Sequence, residues 1–359
     1  MGGKGQVVRT SIRSIVRRAA ILPPLTTFEF LSEVAMRHLL GLLMFVMPMP
    51  LSVGEENSAL QLPLHPDEAK IVQEITRIQG IPVTVEETPK WLHNAVIKSL
   101  EPFGFDGKSL KSLSVAGRDM KNRFLSVFYQ ADGRVVALSG NGPWLPNDAI
   151  RMLAGMPELR IIRIDHNGTL DKTMTDLYDG SGFDALADSK LVQIKIGLSF
   201  NDRGMEQVAK IRSLKSFSVA HSRVTDAGVA FFEGHPNLES FSVGEMASGR
   251  ITAKSLASIA KMPKVTEVGF HEIFIGYDNG LALLAPMRGR LKKLDLSMSL
   301  VNDDDLTRLK ADHPDLVITR IPPAEIVKRH PFVAANLAKQ ATGPIAEEMK
   351  KAVAEAQPK

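Results

Sequence analysis

Cysteine is absent from the 359-residue chain. That excludes disulfides, thiol catalysis and cysteine-ligated zinc, and it leaves the redox state of the compartment open. Charge of one sign is lacking too: 44 basic residues face 40 acidic ones, and residues 1–54 hold six of the former and two of the latter, so the remainder carries 38 of each. A neutral remainder without a clustered basic face argues against nucleic acid as a partner. No G-x-S-x-G elbow and no G-x-G-x-x-G turn occurs, since Gly140-Asn141-Gly142 and Gly180-Ser181-Gly182 lack the third glycine; a hydrolase or a dinucleotide enzyme is therefore unsupported. Gly107-Lys108-Ser109 has Pro102 where a phosphate loop needs glycine, and His271-Glu272 has Ile275 where a zinc-protease helix needs its second histidine. No catalytic residue, metal ligand set or cofactor is expected.

What the chain does contain is a spacing that recurs about every twenty-five residues. It is clearest as Leu291, Leu294, Leu296, Ser299, Val301, Asp303, Leu306 and Leu309, and again as Leu214, Phe217, Val219, Ser222, Val224, Asp226, Val229 and Phe232. Openings of this unit stand at Leu110, Gly133, Leu159, Leu191, Leu214, Leu238, Val265 and Leu291, with a truncated one at Leu316. Apolar positions four and six alternate as in a half-buried strand, and a later apolar pair three apart suits a short helix. Asn147-Asp148, Asn201-Asp202, Thr225-Asp226 and Asn302-Asp303 sit between strand and helix, where such side chains accept hydrogen bonds from free amides of the first turn. Asn141, Asn167, Ser199, Ser222 and Ser299 follow the strands and are expected to bond the backbone of the adjacent coil. Repeats of this length specify an α/β solenoid of about seven or eight units.

The pattern L-x-x-L-x-L-x-x-[ST]-x-[VI]-[TN]-D, followed by L-x-x-L, resembles the leucine-rich repeat family, and in particular bacterial exported proteins whose units read VTDxGL. Val224-Thr225-Asp226-Ala227-Gly228-Val229 is the best copy. The resemblance covers roughly residues 105 to 321. It implies a curved solenoid with parallel strands inside and helices outside, used for binding proteins or other ligands, with no catalytic residues.

Arg37-His38 precede the apolar stretch Leu39 to Val46, and Ser52 and Gly54 follow at small-x-small spacing. This is the layout of a signal peptide, with cleavage after Gly54. The apolar stretch is too short for a bilayer span, so no stable membrane span is expected after processing. Met36 is the expected true start. The domain reading is a leader over 1–54, an N-terminal cap region over 55–109, the solenoid over 110–321, and a C-terminal helical cap or tail over 322–359. A helix is expected to start at Pro66 and to end before Gly80, followed by a strand over Pro82 to Glu86. Beyond Pro322-Pro323, helices are expected over Phe332 to Ala341 and Ile345 to Ala356.

Outward strand positions give candidate contacts on the inner face: Arg163, Asp165, Lys195, Ser218, Ser242, His271, Lys293 and Asp295. Aromatic and arginine anchors, which dominate interface hot spots, are scarce there. The unit opening at Leu159 is longer than the others, and its excess carries Asp171, Asp176 and Asp179; insertions in repeats often carry binding. His166 and His221 hold equivalent slots on the inner rim. With Leu198 between them their backbones should lie about 10 Å apart, and both are expected to face solvent. The function that follows is a non-catalytic, exported module of the periplasm or cell envelope that recognises a protein or glycan. The alternatives are a structural envelope component that self-associates through its repeats and, last, a metal-dependent enzyme.

Overall fold

The computed structural model describes residues 61–78, 83–117, 124–142, 144–168 and 175–356. The described residues belong to one compact unit, 59–359. The expected leader, the start at Met36 and Asp171 lie outside the described residues.

Among the described residues eleven strands form one sheet in strict chain order. Strands β1 (Val83–Glu86), β2 (Lys111–Gly117), β3 (Phe124–Tyr129) and β4 (Val135–Asn141) form an antiparallel meander. From β4 onward every pairing is parallel, through β5 (Ile161–Asp165), β6 (Gln193–Gly197), β7 (Ser216–Ala220), β8 (Ser240–Gly244), β9 (Glu267–His271), β10 (Lys293–Asp295) and β11 (Val317–Thr319). Each strand from β5 to β10 begins two residues after its repeat opening. β4 likewise begins two residues after its opening at Gly133 and pairs in parallel with β5, whereas the opening at Leu110 leads into the meander, whose β3 has no counterpart in the repeat. The fold is α/β, one mostly parallel sheet with surrounding helices in a solenoid-like arrangement.

One face of this sheet and the helices facing it enclose a continuous apolar core running from Leu64 to Leu316. Its middle is aromatic: the Phe217 ring lies 6.0 Å from Phe200, 5.1 Å from Phe232 and 5.8 Å from Phe241. The helices are α1 (Pro66–Ile78), α2 (Lys90–Leu100), α3 (Asn147–Met152), α4 (Asp202–Val208), α5 (Asp226–Ala230), α6 (Ala253–Ala260) and α7 (Asp303–Asp312), then α8 (Pro323–Arg329), α9 (Pro331–Gln340) and α10 (Pro344–Glu355). Helix α8 was not foreseen in the sequence.

Capping is partly as expected. Asn201 and Thr225 accept from the amides of Arg203 and Ala227, as does Thr252 from Lys254. The aspartates do something else: Asp202 accepts from the Thr225 amide and hydroxyl at 2.8 and 2.7 Å, and Asp226 from those of Thr252 at 2.9 and 2.6 Å. Each carboxylate thus holds the cap of the next coil. Asn147 caps nothing; buried, it donates to the Asp176 carbonyl and the Asp179 carboxylate and accepts from the amides of Gly180 and Gly182. Asn302 makes no side-chain cap bond either. Asn167, Ser222 and Ser299 do bond neighbouring coils, to Leu145, Gly244 and Phe270 respectively.

The other face of the sheet is covered only in parts. Over its first strands, Leu92, Val96 and Leu100 of α2 pack on Phe128, Val136, Ala137 and Ile161. At the far end, α8 to α10 form a second apolar cluster with Ala247 and Leu300, against Phe274 and Met298 of the loops that follow β8 to β10. Asn336 and Gln340 of α9 donate to the carbonyls of Met246 and Ala247. No helix among the described residues is long and apolar enough to cross a membrane.

Candidate functional site

Between those two covers the sheet presents a polar row in register: Arg163, Lys195, Ser218, Ser242, Gly269 and Asp295 lie side by side on β5 to β10. Alternation explains it, because their strand neighbours Ile164, Ile196, Val219, Val243 and Phe270 point into the core. Ser218, Ser242, Lys195 and Asp295 are half-buried, and Ser216 and Ser240 form a parallel serine pair one step along. Arg163 is not open to a partner in the same way, since its guanidinium reaches Ser99 of α2. Asp165 and Lys195 pair at 2.8 Å, and Lys293 pairs with Glu267 across β9 and β10. Lys195 of the row and the adjacent Lys293 are therefore internally neutralised.

The expected insertion site divides. Asp176 is exposed, but Asp179 is buried at 2 % and holds Asn147 and the Ser181 amide. Its carboxylate ties the long loop to the body of the coil rather than offering oxygens to a ligand. The segment Ser181–Leu186 then makes a 3-10 helix that puts Phe183 and Leu186 into the core in place of a regular outer helix.

At the C-terminal ends of the strands the chain turns through a left-handed residue in successive coils: His166, Leu198, His221, Met246 and Glu272. Positive φ is costly for side-chain-bearing residues, least so for Asn, Asp and His. The payoff in geometry is that side chains from alternate coils meet. The rings of His166 and His221, at φ 54° and 51°, stack with centroids 5.6 Å apart, closer than the spacing of their strands implied. His221 Nδ1 lies 2.6 Å from Glu272 Oε1, and Glu272 also accepts from the Met246 amide. From outside the sheet, His330 at the α8–α9 junction brings its ring to 5.2 Å from His221.

Electrostatics differ within this cluster. The hydrogen bond that His221 donates to buried Glu272 raises the His221 pKa above the ordinary histidine value, against the desolvation that opposes it. Burial works to raise Glu272, but the bond and charge of His221 with the Met246 amide prevail and lower it. His166 and His330 are both lowered, first by desolvation and then by the charge of His221. The shifts thus favour the charged forms of His221 and Glu272 and the neutral forms of the two flanking rings. His271 leans along the face beside Gly269, where a Cβ would stand 2.7 Å from its Nε2; its Nε2 is 3.9 Å from Asp295 and its pKa is lowered by burial. Among the described residues no three His, Asp or Glu side chains converge as a metal site.

Sequence reading singled out His166 and His221 but not their stacking, nor Glu272 and His330. Glu272 carried a usable signal, since it occupies the same slot, one residue past its strand, as the two histidines. His330 carried none, because its position depends on how α8 and α9 dock. No protein-family model matches the chain, and comparison with curated proteins finds no similar sequence.

Proposed function

We propose that the protein is a non-catalytic binding module of the leucine-rich-repeat type, exported to the cell envelope, that takes a protein or glycan partner on the open stretch of its sheet. The observation that carries this reading is the uncovered polar row at Lys195, Ser218 and Ser242, bounded by α2 on one side and α8 to α10 on the other. Hydroxyls held in register at strand spacing offer donors and acceptors to a peptide backbone or a sugar alike. The scarcity of aromatic anchors there points to a contact of modest strength.

Immobilised protein should capture its partner from envelope fractions, and K195E/S218E/S242E should lower that capture about tenfold or more, the scale of losing one central contact. K254E on α6, whose side chain is exposed, serves as the control and should leave capture unchanged. Full retention of every partner by the triple variant would overturn the inner-face reading.

A second reading, self-association as a structural component, draws on the sheet edge: among the described residues β11 pairs with β10 alone, and Val317 is 59 % exposed. Sedimentation velocity over a hundredfold concentration range separates the two, because a persistent monomer removes it.

A further inference from the structure

The histidine stack joins titratable groups from parts of the chain that the hydrogen bonds of Asn336 and Gln340 also tie together on that rim. His166 and His221 end β5 and β7, whereas His330 belongs to the helical segment that folds back on the strand ends. We propose that the rings of His166, His221 and His330 form a pH-sensitive latch, holding α8 to α10 against the strand ends at neutral pH and loosening them on acidification. What the latch covers is apolar: Ala247, Leu300, Phe274 and Met298 lie beneath these helices.

The charge balance around the stack sets the direction. From β5 comes Asp165, from β6 Lys195, from the end of β9 His271 and Glu272, from β10 Asp295, and from α8 Arg329. Lys195 is paired with Asp165, His221 with Glu272, and Arg329 with Glu325. Asp165 and Glu272 are therefore already engaged when His166 or His330 takes up a proton, and the new charge lies within about 6 Å of the existing imidazolium, where like charges disfavour each other. In the opened state His330 is hydrated and well removed from His221, so its proton costs less.

The sign follows from linkage. His166 and His330, lowered when docked, favour the closed state above about pH 6.5, and that contribution is lost as pH falls through their docked values. His221, raised by Glu272, acts oppositely: its contribution is complete below about pH 6.5 and is lost as pH rises through its docked value. Closure is therefore tightest in a neutral window. Acid opens it through two groups.

Hydrogen–deuterium exchange of the full chain without any partner tests the latch independently of the binding reading. After correction for intrinsic rates, amides of α9 and α10 should exchange about tenfold faster at pH 5.5 than at pH 7.5, one unit of linked proton uptake, while β6 to β8 remain unchanged. In H166Q/H330Q, whose side chains stay neutral throughout, this acceleration on acidification should disappear, leaving at most the opposite dependence from His221. If the double variant fails to fold, H330Q alone should show a reduced dependence. Exchange in α9 and α10 that ignores pH in the native protein overturns the proposal, and so does an undiminished dependence in either variant, which would move the effect to His271 or the core histidines. Loss of partner capture leaves both results untouched.

Discussion

Two sets of polar side chains run from coil to coil, one beside the outer helices and one along the rim, and they are held at different cost. Beside the helices, Asp202 and Asp226 each grip the capping threonine of the next coil. Those caps have extended backbone, which any residue adopts without strain. On the rim, His166, His221 and Glu272 reach across an intervening coil from left-handed backbone. The first set satisfies backbone groups that the fold would otherwise leave bare. The second spends conformational energy to place titratable groups side by side. Polar residues at repeat spacing are thus not equivalent, and backbone conformation distinguishes them.

The largest break in the structural set is N147A. Two buried amides lose their partner and the buried Asp179 carboxylate loses one of its donors, keeping the Ser181 amide; an unsatisfied buried group costs about 1–3 kcal/mol, so a loss of about 3 kcal/mol is expected in urea denaturation. This loss should be the same at pH 6.5 and pH 8.5, since no histidine is involved. On the rim, E272A should cost about 2 kcal/mol near neutral pH. That is less than a fully buried pair would lose, because the His221 side chain keeps 22 % of its exposure. The cost should shrink on the alkaline side as His221 gives up its charge; a pH-independent cost would place Glu272 with the structural set. Smallest is L198G, which removes the strain of a left-handed leucine at φ 63°. It should change stability by less than about 1 kcal/mol, the relief offsetting the lost packing and backbone entropy. A loss of several kcal/mol there would mean that the turn conformation is dictated by the side chain.

Much of the sheet was legible in the sequence because its signal is local. Alternation in Gln193–Gly197, Ser216–Ala220 and Ser240–Gly244 names both the core residues and the outward serines, and the parallel register then lines up Lys195, Ser218 and Ser242. The meander was misread: β2 also alternates, and nothing in alternation says whether the next strand runs parallel or returns. Asp179 was misassigned for a related reason. A carboxylate in a long loop looks available until Asn147, thirty-two positions earlier, is found bonded to it. Arg163 likewise looked open, yet the sequence did not reveal that α2 crosses back over β3 to β5.

The sequence by itself determined the period, the strand faces, the serine rows and most helix positions, since each follows from contacts between residues near one another or one repeat apart. Only the tertiary structure decided which part of the sheet stays open and which histidines meet. Those depend on α2 packing against strands, and α8 to α10 against loops, distant in the chain, and on a left-handed turn whose φ no residue type dictates. Leu198 and His221 share that turn, but only one of them ends beside a carboxylate.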